Sequence, residues 1–469
     1  MQERPIQHLM CMGVPRSGTT FTAALLSSHE QVICGSERFP DPDAYTPELF
    51  SEHGFLHMRT GDGNYSRHLH LKEKFAQARV IGDKFPRAYR VLHRVLPRFD
   101  GAKVIFLVRD PHDVCASWNA RAADATDAAW FRGQVGAFSV MEQLHAWSQL
   151  LQVEPRHRGD VLLVSYQSLT TTAGQAAAAG RMFEFLGVGH SAGTEGFLAS
   201  EQLKTVEARV KRRSIAPVEQ RLIELAGIDP LSRELEKSLF TKLEQFQPTI
   251  ASVLAGFPAR ADEFWSQFEA ALAQYPNRDA CFDFGCKQLE KLQASDPGSF
   301  TRPVLDSLLA PRRADACTVY LRGLAGTATD PAAELQALVE RFPGAGRPAR
   351  MLGRLLLKEG KPEQALPLFE RALAAEPADR GLVNSCAIAL NRLGQADRAL
   401  PMAQGIVAAK PNEVGFRFTL AETLLLLGQF PETEQQLQQI VALAPQHARL
   451  APFTKRLNAA RRRAKVADD

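Results

Sequence analysis

Prolines at positions 343, 377, 411 and 445 and glycines at 360, 394 and 428 recur at a step of 34 residues without a gap. A fixed period of that length limits this part of the chain to stacked copies of one small unit, because such a unit cannot bury its apolar face alone. Other columns keep the same step. Leu356, Leu390 and Leu424 are large and apolar, as are Ile406 and Ile440 in the column that begins with Ala372. Gly353, Ala387 and Ala421 are small, and so are Ala365, Ala399 and Thr433. Small residues let helices approach closely, glycine tolerates a positive φ at a helix end, and proline cannot continue a helix. The unit therefore reads as a helix, a glycine turn, a second helix and a proline stop.

These residues at this period resemble tetratricopeptide repeats, three of which span about residues 347–447. Upstream, Phe268-Glu-Ala-Ala-Leu-Ala-Gln-Tyr-Pro276 echoes Phe369-Glu-Arg-Ala-Leu-Ala-Ala-Glu-Pro377. Residues 236–345 read either as degenerate copies of the same solenoid or as an unrelated helical linker domain. Residues 346–463 carry the repeats. Residues 1–235 follow another pattern, in which short β-like runs at 6–12, 104–108 and 161–164 alternate with helical stretches. That alternation predicts an α/β domain with a parallel sheet and crossover helices.

The first β-like run leads straight into Gly13-Val-Pro-Arg-Ser-Gly-Thr-Thr20 and then into an amphipathic segment. A strand, a glycine-bearing loop and a helix start point backbone N–H groups at an anion. The glycine spacing mimics a nucleotide-binding P-loop, but Thr19 stands where such a loop has its lysine, and Arg16 supplies the positive charge from inside the loop. Loss of that lysine argues against ATP or GTP hydrolysis. A second apolar strand, residues 104–108, delivers Arg109 to its carboxyl end, where open α/β sheets hold ligands. Asp110-Pro111 fits a helix start, which leaves the Arg109 fork for a phosphate, with Ser117 two helical turns further on.

Pro15-Arg-Ser-Gly-Thr-Thr20 resembles the 5′-phosphosulfate loop of sulfotransferases that use 3′-phosphoadenosine 5′-phosphosulfate (PAPS). Arg109 and Ser117, eight residues apart, are similar to the family's 3′-phosphate motif, and Val164-Ser-Tyr-Gln-Ser-Leu169 resembles its Tyr-Glu-Asp-Leu segment with Gln167 and Ser168 in place of the acids. The resemblance covers about residues 5–215 and implies a sulfotransferase fold with PAPS as co-substrate and no metal. It assigns the donor to Arg16, Ser17, Gly18, Thr19, Thr20, Arg109, Ser117 and Tyr166, and to Arg213 and Ser214 through an Arg-Arg-Ser-like stretch in related bacterial enzymes.

Sulfuryl transfer to a hydroxyl needs a base on the acceptor and cations on the leaving phosphate oxygen. Glu37 lies 21 residues beyond Arg16, where the tyrosylprotein sulfotransferases that this stretch resembles have their catalytic glutamate. Its competing reading is a surface charge pair with Arg38. Lys84, among Val80, Ile81 and Phe85, needs an anion for its ammonium. It resembles the family lysine that contacts the bridging oxygen, although the order here is Asp83-Lys84 where the family has Lys-Asp, and a pair with Asp83 is the alternative. The resemblance thus makes Glu37, Lys84 and Arg16 the catalytic set. His53, His57, His68 and His70 lie in a Gly-, Asp- and Asn-rich stretch without helical period and read as a substrate-side loop, not a metal site. Trp118, Trp130, Phe131 and Trp147 read as core packing or as an acceptor wall.

Lys and Arg (56) exceed Asp and Glu (52) by only four, so no global field draws the molecule to nucleic acid. Seven scattered cysteines without a CxxC, the absence of a membrane-length apolar run and a charged, proline-containing start predict a soluble, cytoplasmic protein. The leading expectation is a PAPS-dependent sulfotransferase acting on a peptide tyrosine, a carbohydrate or a small molecule, with repeats that bind a protein partner or self-associate. The alternatives are a divergent P-loop kinase or ATPase and a catalytically silent interaction protein.

Overall fold

The computed structural model describes residues 6–39, 41–58, 71–127, 130–189, 191–200, 215–294 and 316–468. They form two compact units, one within Met1–Cys281 and Gln288–Asp315, the other within Phe282–Lys287 and Ala316–Asp469.

The first unit is built on a six-stranded sheet in the order β2-β3-β1-β4-β5-β6. Its strands are β1 (Gln7–Gly13), β2 (Val32–Ser36), β3 (Val80–Lys84), β4 (Lys103–Val108), β5 (Val161–Ser165) and β6 (Phe240–Lys242). The first five run parallel, and β6 closes the edge antiparallel to β5. The apolar runs that predicted β1, β4 and β5 are strands buried on both faces. Three-residue β6 carries no readable period, and it enters only after Leu239 takes a positive φ of 61°. Ile105 and Leu107 pack with helices α1 (Thr19–Ser28) and α4 (Thr172–Phe185) through Leu25, Leu26, Met182 and Phe183. Phe106 points to the opposite face and meets Trp147 of α3 (Gly136–Leu151), with α2 (Pro111–Ala123) packed beside it. Strand alternation thus places helices on both faces. Chain order reverses beside β1, so the ends of β1 and β4 open the crevice where such sheets bind ligands. Later helices Pro217–Ala226 and Phe257–Gln274 also belong to this unit, where Phe268 packs on Phe138 of α3.

The second unit is a run of antiparallel helix pairs: Gly346–Lys358 with Pro362–Ala375, Arg380–Arg392 with Ala396–Ala409, and Val414–Leu426 with Phe430–Leu443. Each first helix ends at a periodic glycine, with φ of 79°, 71° and 73° at Gly360, Gly394 and Gly428. The turn is then fastened by the same reverse bond each time, from the N–H of Lys361, Gln395 and Gln429 to the carbonyl of Leu356, Leu390 and Leu424. Ala387, Ala421, Ala365, Ala399 and Thr433 are wholly buried where helices meet. At Gly353 an added Cβ would sit 2.7 Å from the Phe369 ring, which explains the smallness of that column.

Gly394→Ala tests the turn alone, because its Cβ would meet no atom within 4 Å and only the positive φ of 71° opposes it. The substitution should lower the stability of the repeats by about 1 kcal/mol in urea unfolding followed by circular dichroism. An unchanged midpoint would mean that the turn does not depend on the left-handed conformation.

Candidate active site

After β1 the chain turns through Val14 to Ser17, closed by the Ser17 N–H on the Val14 carbonyl at 3.0 Å. Arg16 sits in this turn at a φ of 80°, a conformation strained for a residue with a Cβ. Gly18, at a φ of 92°, caps α1 without a side-chain oxygen, and an added Cβ would lie 2.5 Å from the Tyr166 ring. The first N–H groups of a helix have no intrahelical acceptor, so this start is open to an anion. Ser17 and Thr19 are buried beneath the turn and Thr20 is exposed. The indole N–H of wholly buried Trp118 donates to the Pro15 carbonyl at 3.0 Å and anchors the loop from α2.

The second strand brings its groups to the same place. Asp110 caps α2 by accepting from the N–H groups of His112 and Asp113, as the Asp-Pro pair predicts. Arg109 does not fold back on Asp110. Its Nη1 donates to the Arg16 carbonyl at 3.0 Å, its Nη2 lies 3.5 Å from Asp113, and its guanidinium stacks over Tyr166 at 4.5 Å. The buried Nε of Arg109 has no hydrogen-bond partner among the described residues. Arg16 Nε donates to Ser117 Oγ at 3.2 Å. Partial burial, then the charges of Arg121 and Arg109, pull the Arg16 pKa below its ordinary value. Arg16, Ser117, Arg109 and Tyr166 therefore form one contact chain around an electropositive helix start, with donors to spare for a phosphate-bearing ligand.

The third part stands at the ends of β2 and β3. Glu37 follows β2 at a φ of 57°, and its N–H donates to the Lys84 carbonyl at 2.7 Å. Lys84 is 3% exposed and its Nζ donates to Glu37 Oε1 at 2.7 Å, while the Glu37 side chain is half exposed. Lys84 thus finds its anion in Glu37 rather than in the adjacent Asp83. The Glu37–Arg38 surface pair does not form either: Arg38 turns inward and donates to the Phe55 carbonyl. Asp83, 1% exposed, accepts from the N–H groups of Arg38 and Phe39 at 3.1 Å each and from the Tyr45 hydroxyl at 3.3 Å. Burial pushes its pKa up to about 7, against the lowering effect of those two N–H bonds and Lys84.

Among the remaining expectations, Trp118 and Trp147 are core residues, whereas Phe131 is 47% exposed. His53 and His57, expected in a loop, lie instead in the short helix Glu52–His57 capped by Ser51, their rings 5.3 Å apart. His68, His70, Arg213 and Ser214 lie outside the described residues. Among the described residues the group with metal-ligand spacing is Asp110, His112 and Asp229, of which Asp110 already serves as the α2 cap. The sequence reading missed the anchoring role of Trp118 and the bonding of Asp83. The second had a visible signal, an acid beside a lysine at the end of an apolar strand.

The raised pKa of Asp83 has a measurable sign. Between about 4, its ordinary range, and about 7 the native state holds a proton that the unfolded chain has released, so its contribution to stability falls as pH rises through this window. The difference in melting temperature, wild type minus Asp83→Asn, should be smaller at pH 8 than at pH 5. A difference that grows with pH would reject the shift.

Residues 8–191 match the Sulfotransferase family, and tetratricopeptide repeat families match residues 329–380, 356–414 and 390–457. No curated protein matches the sequence. Among solved structures, YrrB, a TPR protein with an unusual peptide-binding site, is 19% identical over 40% of this chain and 96% of its own, with a TM-score of 0.28. MamA MSR-1 is 21% identical over 30% of this chain and 92% of its own, with a TM-score of 0.25. Yeast Tom70 is 11% identical over 71% of this chain and 86% of its own, with a TM-score of 0.29. Among the described residues no helix is long and apolar enough to cross a membrane. The chain joins a sulfotransferase-family α/β domain, carrying the loop and strand ends described above, to a C-terminal run of tetratricopeptide repeats.

Proposed function

We propose that the protein transfers the sulfuryl group of PAPS to a hydroxyl acceptor. The observation that carries this reading is the backbone at Arg16 and Glu37. These are two of only three non-glycine residues with positive φ among the described residues, and they stand at the ends of two strands of one sheet. Strained backbone persists where the surrounding structure over-determines it, and it collects at sites of chemistry. The donor's 5′-phosphate lies against the first turn of α1 and Arg16, and its 3′-phosphate against Arg109 and Ser117. Glu37 takes the acceptor proton as the acceptor oxygen forms its bond to sulfur and the bond from sulfur to the bridging oxygen breaks. Lys84 and Arg16 stabilise the charge left on that oxygen. Lys84 pairs with Glu37 before the donor enters, and its three N–H donors let it reach the bridging oxygen from the same strand end.

The repeats serve a protein partner or a second copy of the chain, which agrees with the stacked-helix surface such repeats build. A cytoplasmic location agrees with six free, buried cysteines among the described residues.

Isothermal titration with 3′-phosphoadenosine 5′-phosphate, compared with ATP and Mg²⁺, tests the donor; heat or thermal stabilisation with ATP and metal alone would reject the proposal. Labelled PAPS in a lysate of the source organism identifies the acceptor by the mass of the product. With that acceptor, Glu37→Gln should lower turnover by about 10²-fold and keep donor affinity. Arg109→Ala should instead weaken donor binding by about 10- to 100-fold. A Glu37→Gln variant that turns over at the wild-type rate would remove Glu37 as the base.

A further inference from the structure

We infer that Asp83 is a positioning residue for the base: by capturing two consecutive backbone N–H groups it fixes the left-handed turn that presents the Glu37 carboxylate to Lys84. The inference rests on the proposed role of Glu37 and adds a residue to it. Successive N–H groups that follow a residue of positive φ converge on one point, where they bind an anion. Here the acceptor is an internal carboxyl group. Glu37 has the positive φ of 57°, and the N–H groups of Arg38 and Phe39 converge on the two oxygens of Asp83 at 3.1 Å each.

The neighbouring residue completes the grip. Side chains of adjacent strand residues diverge, so Asp83 and Lys84 reach the β2 loop by different routes. Lys84 holds Glu37 twice, through its carbonyl to the Glu37 N–H and through its Nζ to Oε1, both at 2.7 Å. Asp83 holds the two residues that follow. One dipeptide at the end of β3 therefore fixes three consecutive residues at the end of β2. The order Asp-Lys is required by this arrangement: β3 pairs with β2 in register Gly35 with Asp83 and Ser36 with Lys84, so the acid lies one step behind the lysine as the loop turns back. Gly35 leaves room for it, since an added Cβ would approach Asp83 Oδ1 to 2.7 Å. The Tyr45 hydroxyl at 3.3 Å closes the Asp83 environment.

Asn at position 83 turns one of the two acceptors into a donor facing an N–H group, which opens the turn without removing Glu37 or Lys84. In the full-length chain, with the acceptor identified by labelled PAPS, Asp83→Asn should lower turnover about tenfold or more and keep the affinity for 3′-phosphoadenosine 5′-phosphate measured by titration. The decisive readout is the double variant. If Asp83 acts through Glu37, Asp83→Asn combined with Glu37→Gln turns over no more slowly than Glu37→Gln alone. Losses that multiply in the double variant, or an Asp83→Asn enzyme at the wild-type rate, would overturn the inference while leaving Glu37 as the base. Wild-type turnover by Glu37→Gln would instead overturn the proposed reaction itself. Should Asp83→Asn fail to fold, Asp83→Glu keeps the charge and both oxygens but shifts them by one methylene, and the same tests apply to it.

Discussion

Parallel pairing of the first five strands is the constraint on which the rest of the N-terminal unit depends. A parallel ladder sends every strand to the same edge, so the turns after β1, β2, β3 and β4 all emerge together. The register places Lys84 beside both Cys11 and Ser36, and Leu107 beside Gly13. Arg16, Glu37, Lys84 and Arg109 are thereby gathered from positions far apart in the chain without any of them having to pack against another first. The first helix then adds its open N–H groups at the point where strand order reverses.

Gathering charge at a buried edge raises the question of how each charge is satisfied. The fold answers in two ways, shown by two carboxylates that are both almost fully buried. Burial pushes Glu142 of α3 up, yet Arg90 and Arg87 more than offset it and hold its pKa at about 2, with Tyr89 donating to the same group. Asp83 is answered chiefly by backbone N–H groups and a hydroxyl, which are dipoles rather than charges, and its pKa stays raised at about 7. Full charges compensate desolvation better than dipoles. Glu142 therefore ties α3 to the segment after β3 as a fixed ion cluster, whereas Asp83 shapes backbone at the site.

Much of this was legible in the sequence. The glycine-bearing loop after β1, Arg109 with its Asp-Pro helix start and the 34-residue columns announce themselves because each is a local pattern, set by φ, capping or period within a few turns. The partners were not legible. For Lys84 the sequence offered the donor's bridging oxygen or its neighbour Asp83, and the structure pairs it instead with the distant Glu37, because strand geometry turns neighbouring side chains apart. Glu37 likewise had Arg38 beside it, and Arg38 instead enters the core between Phe39 and Phe55.

The sequence by itself determined the two kinds of architecture, the glycine-bearing loop after β1 and the identity of the charged groups at the strand ends, since periodicity, glycine placement and helix capping act over short stretches of chain. Only the tertiary structure decided which of those charges meet, that Trp118 would hold the loop through the Pro15 carbonyl, and that Asp83 would grip backbone rather than a cation. The physical reason is that such choices are made by strand register and by desolvation, and neither exists until residues distant in the chain share an interior.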